Sequence, residues 1–148
     1  MRRAALDANE LKLEITEIMV MDDEHGVTGV LQDLSALGVR IALDDFGSGF
    51  SSLNYVKDLP VDDLKIDRSF IDGLGEDAMN DTIVRLILDF AHTLGLKVIA
   101  EGMENGRQVA SLTAMRYDLA QGFYFSKPLP SKAAGAFVAT NPLWRVPN

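Results

Sequence analysis

Carboxylates recur in this sequence where short apolar runs end, and that placement is its first sign of chemistry. Glu14 and Glu17 close the run that starts at Leu11, Asp44 and Asp45 follow Ile41 to Leu43, and Lys65 and Asp67 end the run from Asp63. Glu101 follows Lys97 to Ala100, and Gln121 follows the weaker run Tyr117 to Ala120. One acid in such a place makes a turn or caps the next helix. Recurrence over five segments points instead to convergence on a common site. Four or five carboxylates with one amide are a hard-oxygen donor set, which suits Mg²⁺ or Mn²⁺ and argues against zinc or copper. Such ions polarise phosphoryl oxygens and lower the pKa of bound water; a pair about 3.5–4 Å apart stabilises both attacking and leaving oxygens. Phosphoester hydrolysis is therefore the leading reaction class. Lys65, projecting among the acids, can neutralise phosphate charge or orient the attacking water; its plainer role is a structural ion pair.

The elements that must position these residues alternate along the chain. Apolar runs at Leu11 to Ile15, Val39 to Leu43, Asp63 to Ile66, Lys97 to Ala100 and Tyr117 to Ala120 read as strands, the last weakly. Between them lies a helix from Asp23 to Leu37 that turns Val27, Val30, Leu31 and Leu34 inward, with Gly38 as its stop. A second starts at Ser51 or Ser52 and ends before Leu59-Pro60. The longest runs from Asp77 to Leu94, with Ile83, Val84, Ile87, Phe90 and Ala91 inward and Gly95 as its stop. Asn105 caps another, and Ser131 opens the last. Strand-helix alternation implies parallel strands and right-handed crossovers, so the fold class is α/β. An eightfold barrel needs about 250 residues, or about 30 per unit, and this chain holds close to five units. In either a barrel or an open parallel sheet, the residues at the strand ends gather on one face.

The loop Gly47-Ser48-Gly49-Phe50-Ser51-Ser52, directly after the paired aspartates, reads as a lid or switch. It is not a dinucleotide fingerprint, which needs glycine at position 52, nor a P-loop, which needs Lys-Ser or Lys-Thr. It also lacks the frame of a nucleophile elbow.

Composition removes several other classes. The 148 residues are 47% hydrophobic, globular rather than disordered, and long enough for one compact domain. There is no cysteine, and His25 and His92 are the only histidines, so disulfides, thiolate sites and histidine-rich zinc sites are excluded. The net charge of −8 disfavours binding to a DNA or RNA backbone. No run is long and apolar enough for a membrane segment, and no signal-peptide core follows Met1, which makes a cytoplasmic protein the expectation.

LKLEITE (Leu11 to Glu17), IALDDFGSGFSSL (Ile41 to Leu53), LPVDDLKIDRSFI (Leu59 to Ile71), KVIAEGMEN (Lys97 to Asn105) and QGFYFSKPLP (Gln121 to Pro130) resemble consecutive motifs of the EAL-domain family, in family order. The resemblance implies a TIM-like barrel and a metal-dependent phosphodiesterase that linearises cyclic di-GMP to pGpG. It makes Glu14 a metal ligand, places Asp44 and Asp45 at a two-metal centre, and lets Glu101 complete the carboxylate set, the metal being Mg²⁺ or Mn²⁺. Lys65 is similar to the lysine that assists the water nucleophile, and Gln121 to the glutamine that touches the metal-water network. Glu17 resembles the glutamate that anchors the loop Phe46, Gly47, Ser48, Gly49, Phe50, Ser51, Ser52, which the family associates with metal binding, dimer contacts and activation. Ser48 and Phe50 stand where Thr and Tyr are common. Asp67 and Glu104 have supporting claims.

The family's naming motif, with its first metal-binding glutamate and a phosphate-contacting arginine, and its metal-binding asparagine would precede Leu11. Met1 to Asp7 reads as the tail of a preceding helix. The resemblance thus covers the C-terminal five-eighths of the domain: residues 1–140 as strands 4 to 8 of a partial barrel, and 141–148, with Trp144, as a tail. Losing one preorganised electrostatic group costs about 10²–10³ in rate, so little or no activity is expected of the isolated monomer. Open strand edges at Leu11 to Ile15 and Tyr117 to Ala120 imply self-association or pairing with a complementing N-terminal half. The competing readings are a cyclic di-GMP-binding or protein-interaction module without catalysis and, more distantly, another metal-dependent barrel hydrolase.

Overall fold

Lys12–Thr16 (β1), Arg40–Phe46 (β2), Asp63–Ile66 (β3), Lys97–Ala100 (β4) and Leu119–Ala120 (β5) pair as parallel neighbours in strict chain order. The computed structural model describes residues 6–21, 26–47, 53–140 and 142. The expectations placed on Met1 to Ala5, on a helix start at Asp23, on Ser48, Gly49, Phe50, Ser51 and Ser52, and on the tail residues 141 and 143–148 lie outside these. A doubly wound sheet reverses its strand order at a switch point. This one does not, so each crossover steps the same way, as in a barrel. The α/β class and the partial barrel of five units both hold.

Around the strands run helices Glu17–Met21 (α1), Val27–Ala36 (α2), Leu53–Val56 (α3), Arg68–Asp72 (α4), Ala78–Thr93 (α5), Gly106–Ala114 (α6) and Ser131–Ala139 (α7). Strand alternation sends Leu64 and Ile66 to one face of β3 and Asp63 and Lys65 to the other. The first face joins Ile41, Leu43, Val98 and Ala100 in a core with Leu31, Ile71, Val84, Leu88 and Leu112 from the helices. Burying each large side chain of this kind contributes about 1.5–3 kcal/mol.

The second face of the sheet carries charge in two tiers. At the N-terminal end, fully buried Asp63 accepts from Lys12 Nζ at 2.6 Å and from Arg40 Nη2 at 3.2 Å. One strand turn further along stands Lys65. The first tier was not anticipated from the sequence, because an acid at the start of an apolar run looks like a turn residue.

Several elements differ from expectation. β1 begins one residue later, and Leu11, half exposed, ends a short 3₁₀ turn at Ala8–Glu10. Asp7 is extended rather than helical. Val30 points to solvent at 56% exposure, since Leu31 takes the inward direction of α2 with Val27 and Leu34 beside it. β5 is two residues rather than four. α1 and α4 were missed, each being a five-residue helix too short to display an apolar period. The long α5 lies where expected: Asp77 caps it by accepting from Met79 N–H at 2.9 Å, and Gly95, at φ 77°, ends it.

Candidate functional site

Lys65 stands at the centre of the site. Its side chain is 4% exposed, and Nζ lies 2.7 Å from Glu14 Oε2, 3.0 Å from Asp44 Oδ1 and 2.8 Å from Glu101 Oε1. An ammonium has three donors, and three carboxylates from three other segments use them. Parallel register brings this about: Glu14 pairs with Ala42, Thr16 with Asp44, and Lys65 with Ile99, two residues before Glu101. Burial alone would lower the Lys65 pKa, but the hydrogen bonds it donates to Glu101, Glu14 and Asp44 outweigh it and hold the group charged well above its ordinary value. Three anions around one cation leave the cluster net negative.

The paired aspartates depend on a β-bulge. Leu43 pairs with Leu64 and Phe46 with Ile66, so β2 spends one residue more than β3 over this stretch. Asp45, at φ 54°, is the residue that takes up the kink. Without the bulge Asp44 and Phe46 would share a face. With it, Asp44 reaches Lys65 while Phe46 returns to the core and stacks on Phe90, centroids 6.2 Å apart. Asp45 stays outside the Lys65 cluster. Partial desolvation, then repulsion from Asp44 and Asp67, raises its carboxyl above the usual value, against an opposing pull from Lys65.

Behind this pair, Glu17 opens α1 with only 5% exposure and accepts from Gly47 N–H at 3.3 Å. Its Oε1 is buried without a hydrogen-bond partner among the described residues. Gly47, at φ 95°, must be glycine: a Cβ there would lie 2.7 Å from the Phe70 ring. Asp67 caps α4, accepting from Ser69 N–H at 2.8 Å and from the Ser69 hydroxyl, and faces neither Lys65 nor its three acids in a hydrogen bond.

Beyond Glu101 the chain forms a cleft of about 170 Å³ lined by Arg68, Glu101, Gly102, Glu104, Gln121 and Phe123. Gln121 is tied to the Glu101 loop through backbone, its carbonyl accepting from Met103 N–H at 3.1 Å. Next to it Gly122 lies so close that a Cβ would stand 2.2 Å from Met103 O. Gln121 and Glu104 therefore border the same opening as Glu101 but do not join the Lys65 cluster. Arg68, Gly102 and Gly122 were missed in the sequence, although a glycine directly after both Glu101 and Gln121 was a usable signal for close backbone approach.

Among the described residues no group of three acids or histidines stands in metal-coordinating array, and the three converging carboxylates each bond Lys65. The donor chemistry still fits a hard divalent cation: Glu14, Asp44 and Glu101 aim oxygens at one point already held by a positive charge, with Asp45 adjacent. Only one oxygen of each carboxylate is bonded to Lys65, which leaves its second oxygen as a further acceptor.

Residues 1–128 match the family described as EAL domain. The chain is 43% identical over 137 residues to the bifunctional diguanylate cyclase/cyclic di-GMP phosphodiesterase MucR of Pseudomonas aeruginosa, covering 93% of this chain and 20% of MucR. The solved MucR phosphodiesterase in complex with c-di-GMP superposes with a TM-score of 0.82, covering 87% of this chain and 52% of that one. The EAL domain of Mycobacterium smegmatis DcpA is 39% identical with a TM-score of 0.86, over 93% of this chain and 62% of the other. Klebsiella pneumoniae BlrP1, solved with manganese and cyclic di-GMP, is 30% identical with a TM-score of 0.78, over 83% of this chain and 31% of the other. The chain thus spans a fifth of MucR and from 31% to 62% of these solved chains.

Proposed function

The chain belongs to the EAL-domain family, and from that membership we propose that it is the larger part of a metal-dependent phosphodiesterase site that opens cyclic di-GMP to linear pGpG. The observation that carries this reading is the convergence of Glu14, Asp44 and Glu101 on Lys65 at the edge of a cleft. Relatives named as cyclic di-GMP phosphodiesterases, and a neighbour solved with manganese and the dinucleotide, support it.

Glu14, Asp44, Asp45 and Glu101 are the residues that would hold Mg²⁺ or Mn²⁺, whose chemistry when bound is to polarise phosphoryl oxygen and acidify water. Lys65 remains protonated, so it does not act as a base: its three donors gather Glu14, Asp44 and Glu101, and a donor that one of these releases passes to a phosphate oxygen or to the attacking water. Water adds to phosphorus, one phosphorus–oxygen ester bond breaks, and the leaving oxygen takes a proton, which opens the ring and leaves a terminal phosphate. Gln121, which lines the same cleft as Glu104, orients water or phosphate. Glu17 secures the Phe46 to Ser52 loop through Gly47, and Asp67 shapes the field around Asp45. Residues 1–140 act as one partial-barrel unit, with 141–148 as its tail, in a cytoplasmic setting; no helix among the described residues is long and apolar enough to cross a membrane.

Taken alone, the five-stranded sheet turns over slowly and either self-associates or pairs with a complementing N-terminal half, because β1 and β5 each have one strand neighbour among the described residues. The same observation favours the second reading, a cyclic di-GMP-binding or protein-interaction module. Calorimetric titration of cyclic di-GMP with and without Mn²⁺, followed by chromatography for pGpG, separates them. Metal-dependent binding with any pGpG formed supports the phosphodiesterase. Binding without metal and without product supports the cyclic di-GMP-binding module, and no nucleotide binding under either condition contradicts the phosphodiesterase and leaves the protein-interaction module.

A further inference from the structure

Helix α4 touches two loops of the site, and neither contact belongs to the carboxylate set. Arg68, its first residue, lines the cleft beside Glu101 and Gln121. Its guanidinium works in two directions: Nε donates to Asp72 on the same helix at 3.3 Å, and Nη2 donates to Glu104, in the loop after β4, at 2.6 Å. Before the guanidinium the aliphatic stem lies against Gly102. A Cβ on Gly102, which sits at φ 74°, would stand 2.6 Å from Arg68 Cγ and 2.9 Å from Cδ. The loop that begins at Glu101 is therefore pressed onto Arg68 by a residue without a side chain and tied to it by Glu104. Two residues along α4, the Phe70 ring closes under Gly47, at the start of the loop after Asp44 and Asp45.

We propose that Arg68 is a positioning residue: it latches the loop 101–104 to α4, and so holds Glu101 aimed at the point where Glu14 and Asp44 also meet. The functional consequence rests on the phosphodiesterase reading above; the latch itself does not. Arg68 is half exposed, at 54%, so its ion pairs add little to global stability and their value is geometric. A planar fork with donors in fixed directions addresses two carboxylates on different elements at once. A lysine ammonium, a point charge on a flexible stem, does not fix that geometry. Outer partners that orient a metal-binding side chain typically change metal affinity roughly ten- to a hundredfold.

The test compares the unaltered chain with Arg68→Ala, Arg68→Lys and Gly102→Ala by amide hydrogen exchange and by Mn²⁺ titration. The amides of Met103, bonded to the Gln121 carbonyl, and of Glu104, bonded to Gln108 Oε1, report on the loop. Expected for Arg68→Ala are faster exchange at both amides, a Mn²⁺ affinity roughly tenfold lower, and a melting midpoint close to that of the unaltered chain. Arg68→Lys should restore only part of the protection. Gly102→Ala, which pushes Arg68 from the other side, should loosen the same amides, and adding Arg68→Ala to it should change them little further. Unchanged exchange in Arg68→Ala overturns the proposal whether or not metal binds. Global destabilisation with exchange raised everywhere also overturns it, by making Arg68 a structural residue. If the unaltered chain binds no Mn²⁺, the metal centre is what fails, and the exchange measurement still decides the latch.

Discussion

Lys65 Nζ sits 2.8 Å from Glu101 Oε1, joining the second residue of one strand's polar face to the first residue beyond the next strand. The contact exists because β3 and β4 run parallel in register, Lys65 opposite Ile99. It is one of three such contacts, and the ammonium at their focus stands in for the positive charge that the carboxylates require.

Replacing Lys65 with Met should therefore destabilise the fold in chelator and be offset by metal. The acids are 21–48% exposed, so solvent takes part of the effect, and about 1–2 kcal/mol is expected from urea unfolding. Added Mn²⁺ should recover most of the loss in Lys65→Met and less in the unaltered chain. Because the folded-state pKa is raised, the lysine contribution is fully present below its unfolded value of about 10.4 and is lost only as pH rises through the folded one. Stability across neutral pH should show no step from this group.

Asp118 has the opposite sign. Burial disfavours its charge, but the N–H of Val98 and the ring of His92, both at 2.8 Å, outweigh burial and hold its carboxyl below the usual range. Its contribution is present above the unfolded value of about 3.9 and fades as pH falls through the folded one. Asp118→Asn should cost about 1 kcal/mol at pH 7, and the gap from the unaltered chain should close under acid. Thermal melts at stepped pH check this; a gap that widens in acid contradicts it.

Gly122→Ala should disturb the cleft more than the fold around it. The added methyl would meet Met103 backbone rather than a movable side chain, at 2.2 Å from its oxygen and 2.3 Å from its nitrogen. A loss of about 1–3 kcal/mol is expected, together with changed amide shifts from Glu101 to Glu104. An unperturbed loop would show that Gln121 is not tied to Glu101 as described.

Light scattering behind a sizing column tests the open edges. Assemblies larger than 16.2 kDa are expected, and a clean monomer at high concentration counts against pairing through β1 or β5.

The fold class was legible because strand and helix periods alternate strongly, and the long α5 even displays its own caps at Asp77 and Gly95. Glu14, Asp44, Lys65 and Glu101 come together through parallel register, the first three lying within β1, β2 and β3 rather than at the strand ends read from the sequence, and Glu101 just past β4. The bulge at Asp45 was less visible, though two successive acids between Leu43 and Phe46 break a period of two and are its trace. Asp63 and Arg68 were not legible, since Asp63 meets Lys12 and Arg40 through strand register and Arg68 meets Glu104 only once the loop after β4 folds against α4. Asp67, read as supporting the site, also caps a helix that was too short to detect.

The most direct measurement is Mn²⁺ binding to the folded chain, followed by electron paramagnetic resonance, beside Asp44→Asn and Glu101→Gln. The account predicts binding by the unaltered chain that weakens at least tenfold in each variant while both stay folded. Absence of binding, or binding that neither substitution changes, would contradict it.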